Sequence, residues 1–131
     1  MRVVLDASVA VQACLEAVGL DRLVRHHLVA PPIFASETLS ALHEMRYRGE
    51  ISDDLADIAL RRRSDLAYDV QAPDELWRTA WRLATQLGWA KTYDAEYVAL
   101  AQILDVPLVT LDAKLARGSA SVVSVIGPAD L

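Results

Sequence analysis

The sequence predicts an α/β domain built on a mostly parallel β-sheet flanked by helices, and three observations carry that class. Short apolar runs rich in β-branched residues recur along the chain, as strands buried on both faces require. Between them lie longer stretches with apolar residues at helical spacing, bounded by capping residues. The length, 131 residues, suits a single domain spanning 1–131, and a hydrophobic content of 53% supplies a core and excludes a disordered tail. No repeat, Ser/Gly linker or charge block marks an internal boundary.

Arg2-Val3-Val4-Leu5 is the first buried strand. A helix is expected from Ser8 towards Gly19, and a second short one from Asp21 through Leu28. Pro32 suits the first turn of a helix that continues to about Gly49, a good residue for its stop. Ser52 caps the next helix, with Asp53 and Asp54 favoured by the dipole in its first turn, and it runs towards Leu66. Tyr68-Asp69-Val70 is a candidate short strand. Asp74 is expected to cap a helix whose Leu76, Ala80, Leu83, Ala84 and Leu87 form one stripe up to Gly88. A further helix covers about Tyr93 to Leu104, then Leu108-Val109-Thr110-Leu111 reads as a strand. Asp112 opens a one-turn helix that Gly118 closes, and Val122 to Ile126 is the last strand.

The formal charge is −5, from 13 Lys and Arg against 18 Asp and Glu. This is not the basic footprint of a protein that grips nucleic acid by charge alone, so a nucleic-acid enzyme would need its cations placed locally. The single cysteine, Cys14, excludes a disulfide framework or zinc ribbon and fits a reducing cytosol. Asp6 breaks the apolar run of the amino terminus, and no span of about 20 apolar residues follows. The expectation is an unexported, cytoplasmic protein without membrane contact.

Asp6 directly follows the first strand and Asp112 a later one, so both should emerge at one edge of the sheet, where parallel sheets bind ligands. Either could instead be the N-cap of the helix that follows. Glu37 lies past the first turn of its helix on a face with Phe34, Ala41 and Met45. A carboxylate there is costly unless paired, and a salt bridge is the plain alternative. Asp94 begins a face continued by Tyr97, Val98 and Ala101, or is only a first-turn acid favoured by the dipole. Glu96, two residues on, turns away from that face and is set aside.

Four acids brought together would raise one another's pKa and destabilise the fold. Mg²⁺ or Mn²⁺, which take carboxylate and water oxygens, relieve this. An ion so held polarises a phosphodiester oxygen and acidifies a water nucleophile. Ser8 and Thr110 each lie two residues from a strand-end acid, where a hydroxyl can orient a carboxylate. A helix-start hydroxyl and a satisfied strand residue are the alternatives. His26, His27 and His43 show no metal-ligand spacing.

LDAS (Leu5 to Ser8), PIFASETLSAL (Pro32 to Leu42), YDAEYVALA (Tyr93 to Ala101) and VTLDAKL (Val109 to Leu115) resemble the four acidic motifs of PIN-domain proteins, most closely the VapC toxin group of toxin–antitoxin systems. The resemblance runs from Arg2 to Val125, with the four acids 31, 57 and 18 residues apart in family order. It implies a three-layer sandwich with a five-stranded sheet of order 3-2-1-4-5, in which Asp6 and Asp112 meet where the order reverses. It also implies a Mg²⁺- or Mn²⁺-dependent endoribonuclease using one or two ions, with Asp6, Glu37, Asp94 and Asp112 as catalytic metal ligands and a metal-activated water attacking RNA. Asp6 and Asp94 would bind directly and Glu37 directly or through water. Asp112 would complete the site or orient the water. The partners implied are a second copy, in a homodimer, and a small VapB-like antitoxin that blocks the site.

RNA would need cations near the acids. Lys91, Lys114 and Arg117 lie near the acidic strand ends in sequence, and Arg46 ends the Glu37 helix. Arg61-Arg62-Arg63 is denser, but Asp57 and Asp65, each four residues from Arg61, predict pairing on a solvated face. Trp77 and Trp81 are four apart beside the Leu76 stripe, which favours core or dimer packing over base stacking. Leu39, Leu42 and Met45 read as core before they read as an antitoxin groove.

Other strand-end aspartate chemistries fit less well. A haloacid-dehalogenase phosphotransferase needs a second Asp where Ser8 stands, and a receiver domain needs adjacent acids where Asp6 stands alone. The remaining alternative is a non-catalytic PIN-like binding or scaffold module.

Overall fold

Strand β1 (Arg2–Leu5) occupies the middle of the sheet, and its Val3, Val4 and Leu5 are wholly buried, as an apolar run covered on both faces must be. In the computed structural model, which describes residues Met1–Leu131, β1 pairs with β2 (His27–Ala30) on one side and β4 (Leu108–Val109) on the other. Strand β3 (Asp69–Val70) lies beyond β2, and β5 (Val125–Ile126) beyond β4. The order is β3-β2-β1-β4-β5 and every pairing is parallel. Val4 stands opposite both Val29 and Leu108, which sets the central register.

Helices α1 (Ala7–Leu15) and α2 (Gly19–Leu23) connect β1 to β2, and α3 (Ile33–Tyr47) and α4 (Asp53–Asp65) connect β2 to β3. The chain then crosses back through α5 (Leu76–Leu87) and α6 (Tyr93–Leu104) to β4, and α7 (Ala113–Ser119) leads to β5. Right-handed crossovers place the helices before this reversal on one face of the sheet and those after it on the other. Helices α1, α3 and α4 pack on one another, while α6 lies against β1 and β4 and carries α5. Seven successive residues of α6, Ala95 to Ala101, are buried, because this helix is covered on all sides. Phe34 meets Tyr68 edge to face at 4.6 Å, joining α3 to the segment before β3. No helix is long and apolar enough to cross a membrane.

Several local expectations change. The helix expected from Asp21 through Leu28 stops at Leu23, and residues 27–30 form β2. Leu28, Val29 and Ala30 gain burial on both faces and a parallel ladder with β1, which outweigh the helical preference of the preceding segment. Gly19 does not stop α1 but starts α2, where a Cβ would stand 2.3 Å from the Ala13 carbonyl oxygen. Asp74 does not cap α5. Glu75 holds that position, without a side-chain cap. Helix α7 runs through Ser119 and is longer than one turn. Ser52 does cap α4, accepting from the Leu55 amide at 3.1 Å.

Two of the three arginines in the run are structural, while Arg61 stays exposed. Arg63 donates through Nε to Thr38 Oγ1 at 2.9 Å and through Nη2 to the Ala35 carbonyl at 2.6 Å, tying α4 to α3. Arg62 donates to the Cys14 carbonyl at 3.0 Å, tying α4 to α1. Neither pairs with Asp57 or Asp65, since helix–helix packing brings carbonyl acceptors closer than the carboxylates on its own helix. Arg63→Ala should lower the urea midpoint by an amount equivalent to about 1–3 kcal/mol, whereas exposed Arg61→Ala should stay within about 0.5 kcal/mol. Equal effects from the two would show that the Arg63 bonds do not hold the helices.

A candidate acidic active site at the carboxyl ends of the strands

Asp6 leaves β1 with its amide bonded to the Val109 carbonyl at 3.0 Å, so the ends of β1 and β4 are locked side by side. It sits at the N-cap of α1 but caps nothing with its side chain. Instead its Oδ2 accepts from Ser8 Oγ at 2.6 Å and from Thr110 Oγ1 at 2.8 Å. Thr110 Oγ1 in turn accepts from the Asp112 amide at 3.0 Å, and Ser8 Oγ from the Leu111 amide at 3.1 Å. The two hydroxyls thus fix a buried carboxylate whose other oxygen, Oδ1, receives no bond from the protein.

Asp112 does cap its helix. Its Oδ1 accepts from the Lys114 and Leu115 amides at 2.9 and 3.1 Å, leaving Oδ2 unbonded. Glu37 finds no cation. The buried Tyr97 hydroxyl donates to its Oε1, so the partner of this half-buried acid comes from α6 across the site. Asp94 stands in the first turn of α6, whose N-cap is Thr92, and has no hydrogen-bond donor of its own.

The electrostatics show how the acids crowd. Burial pushes the Glu37 carboxyl above its ordinary value, the Tyr97 bond opposes this, and the charges of Asp6, Asp94 and Glu96 add to the rise. Asp94 is also raised. Its place in a concave wall comes first, then the charges of Asp6 and Asp112, with Lys114 opposing them. Tyr97 is held firmly protonated by burial and by its bond to Glu37, so it acts as a donor. Glu37 and Asp94 thus both lie within reach of the Asp6 charge, and Asp94 within reach of Asp112 as well. In the present conformation, however, no group of three His, Cys, Asp or Glu side chains is arranged to hold an ion.

A groove of about 560 Å³ opens beside these acids, lined by Glu37 and Asp94 and, among others, by Trp89, Lys91 and Lys114. The Trp89 ring lies on Gly118 of α7, so close that a Cβ there would stand 2.9 Å from ring carbon Cζ2. Of the cations named from sequence, Lys91 and Lys114 border the groove. Arg117 is exposed in the last turn of α7 and does not line it. Arg46 is engaged by Asp53 at 3.0 Å and lies nine residues, roughly 13 Å, along α3 from Glu37. Arg46 lines a separate hollow between α3 and α4, so helix length alone removes it from the acids.

Sequence reasoning missed Glu96 and the role of Tyr97. Glu96 is buried, raised by that burial, and its charge reaches Glu37, although it is not among the charges acting on Asp94. The signal was available: residues 97–101 of α6 are apolar without a break, so the turn that holds Glu96 has no polar face to turn it towards. Of the packing expected for Trp77 and Trp81, the core alternative falls, because both are exposed on α5. Leu42 is buried, whereas Leu39 is exposed.

With this geometry in view, the PIN domain family model matches residues 3–120. The chain belongs to the PIN-domain family. Ribonuclease VapC9 of Mycobacterium tuberculosis is 32% identical over 114 residues, covering 86% of this chain and 87% of the relative. Ribonuclease VapC3 of the same species is 33% identical over 96 residues, 73% and 68% of the two chains. These relatives put this PIN domain in the VapC group. Among solved structures, PAE2754 from Pyrobaculum aerophilum superposes with a TM-score of 0.75 at 22% identity, covering 99% of this chain and 91% of that one. VapBC2 from Rickettsia felis, bound to a promoter DNA fragment, gives 0.69 at 14% identity, covering 97% and 98%. At these identities the likeness is one of fold, and the five-stranded order 3-2-1-4-5 agrees with it.

The raised acids have a consequence for stability. Asp94 has a folded pKa above its ordinary 3.8, so folding penalises its charged form. Its contribution is fully favourable below that ordinary value and is lost as the pH rises through the folded pKa. In EDTA, Asp94→Asn should therefore melt higher than the parent at pH 7, and the gap should close at about pH 4. A gap of the same size at both pH values would show that the charge of Asp94 is not the cause.

Proposed function

We propose that this PIN domain is a divalent-metal-dependent endoribonuclease, the toxin of a toxin–antitoxin pair. The observation that carries the reading is a groove lined by Glu37 and Asp94, near enough to Asp6 that its charge acts on both and to Asp112 that its charge acts on Asp94, with Lys91 and Lys114 at the border. The ribonuclease names of the relatives support it.

The donor set fits a hard cation, because every acid offers oxygen and each keeps at least one oxygen free of protein bonds. Asp6 through Oδ1 and Asp94 through either oxygen would be the principal ligands. Glu37 through Oε2 and Asp112 through Oδ2 would complete the set. One or two Mg²⁺ or Mn²⁺ ions, when bound, would neutralise the acids, polarise the scissile phosphate and acidify the attacking water. The remaining work falls to the chain itself. Ser8 and Thr110 hold the Asp6 carboxylate in one orientation, and Tyr97 does the same for Glu37. Asp112, anchored through Oδ1 by the α7 amides, would offer its free oxygen to an ion or a water in the site. Lys91 and Lys114 draw the RNA backbone to the groove.

The partners proposed are single RNA strands, a second copy of the chain and a small VapB-like antitoxin, all in the cytoplasm. The antitoxin is supported by solved neighbours such as the VapBC2 structure. The test is cleavage of a mixed cellular RNA pool with Mg²⁺, Mn²⁺ or EDTA. Wild type should release discrete fragments with either metal and none in EDTA, and Asp94→Asn should release none. Thr110→Val, which frees Asp6 to turn, should cut about 10- to 100-fold more slowly. Folded, antitoxin-free protein that cuts nothing under any condition would favour a non-catalytic binding module.

A further inference from the structure

One flank of α5 plays no part in the site described above. Residues 76–91 hold all three tryptophans of the chain together with Arg78, Arg82 and Lys91, and contain no Asp or Glu, although the chain carries 18 acids. Trp77 is 55% exposed and Trp81 71%, and the four-residue spacing sets their rings one turn apart on the same flank. Large apolar rings left open to water mark contact surfaces. Gly88, seven residues past Trp81, returns to that flank roughly 10 Å further along and lines the acidic groove with Trp89, Lys91 and Asp94. Arg78 makes no ion pair, while Arg82 is steadied by Gln102 Oε1 at 3.1 Å. From Trp77 to Lys91 an aromatic and cationic strip therefore runs to the groove, with Asp74 and Glu75 ahead of its outer end and Asp94 at its inner one.

We propose that this flank of α5 is a track for single-stranded RNA leading into the groove, with bases stacking on Trp81 and Trp77 and phosphates held by Arg78 and Lys91. The proposal rests on the ribonuclease reading and specifies where the substrate lies beyond the scissile bond. Stacking on an indole needs an unstacked base, so the strip selects unpaired strands over duplex and tolerates any base sequence. A second copy of the chain, which would cover the same rings, is the competing occupant. The local excess of positive charge in an acidic chain favours RNA, because two such strips would repel each other.

The test is binding of labelled single-stranded RNAs of about 4 and about 12 nucleotides, a range that brackets groove and track. Ca²⁺, a hard cation that takes the same oxygen ligands, replaces Mg²⁺. Wild type should prefer the longer strand. Trp77→Ala combined with Trp81→Ala should lose that preference, by about fivefold or more for each ring, with an unchanged melting temperature. The corresponding double Phe variant should retain most of it. Arg78→Ala should reduce the salt slope of binding by about one. Unchanged affinity for the longer strand in the double Ala variant would overturn the track, and a fall in mass from two chains to one would assign the rings to self-association. If wild type cuts RNA with Mg²⁺ while the double variant binds as well as wild type, only the track fails. If wild type neither binds nor cuts RNA, the ribonuclease reading fails with it.

Discussion

Two hydroxyls converging on one oxygen of Asp6 tie the site together. Ser8 and Thr110 lie 102 residues apart, yet both donate to Oδ2, and each accepts an amide from the segment that follows β4. The bonds continue the β1–β4 pairing past the last residues of both strands, with side chains in place of backbone. Because each hydroxyl donates to a charge and accepts from an amide, the bonds in each relay reinforce one another. Through Thr110 the positions of Asp6 and Asp112 are coupled, and the reversal of strand order makes that coupling possible.

The crowding of acids is tolerated because the rest of the molecule is built around it. Beneath Asp6, β1 contributes three fully buried residues, and α6 contributes seven in succession. The one cation that acts on Asp94 is Lys114, at the border of the groove rather than among the acids. Arginines are available nearby, but Arg62 is engaged by the Cys14 carbonyl of α1 and Arg63 by Ala35 and Thr38 of α3, so neither pairs with an acid of the site. The chain gives the acids little compensation while using positive side chains as structural ties, an arrangement that lowers stability at this edge of the sheet.

Most of the architecture is legible in the sequence because it follows from local periodicity. The strand at residues 2–5 and the helix at 93–104 stand where their apolar patterns put them. What escaped depended on partners distant in the chain. Strand β2 has only three apolar residues, too few to show a period, and becomes a strand through β1 beside it. Arg63 obeys no helical pairing rule because its acceptors lie on α3. Helical spacing gave Trp77 and Trp81 a common face, but it carried no information on whether anything packs against that face. Of the site, the strand-end acids were readable from position alone, whereas the Tyr97–Glu37 bond joins residues 60 apart and needed the fold.

The contact of Trp89 with Gly118 bears on how the groove keeps its shape. One wall is the loop after α5, which carries Lys91, and the other is α7, which carries Lys114. The indole fills the space between them and bears directly on bare backbone, since Gly118 has no side chain to yield. The spacing of the two walls is therefore gauged by an aromatic ring rather than by flexible side chains. A groove spaced in this way keeps its width as a set calliper does, whatever the charged side chains at its border do.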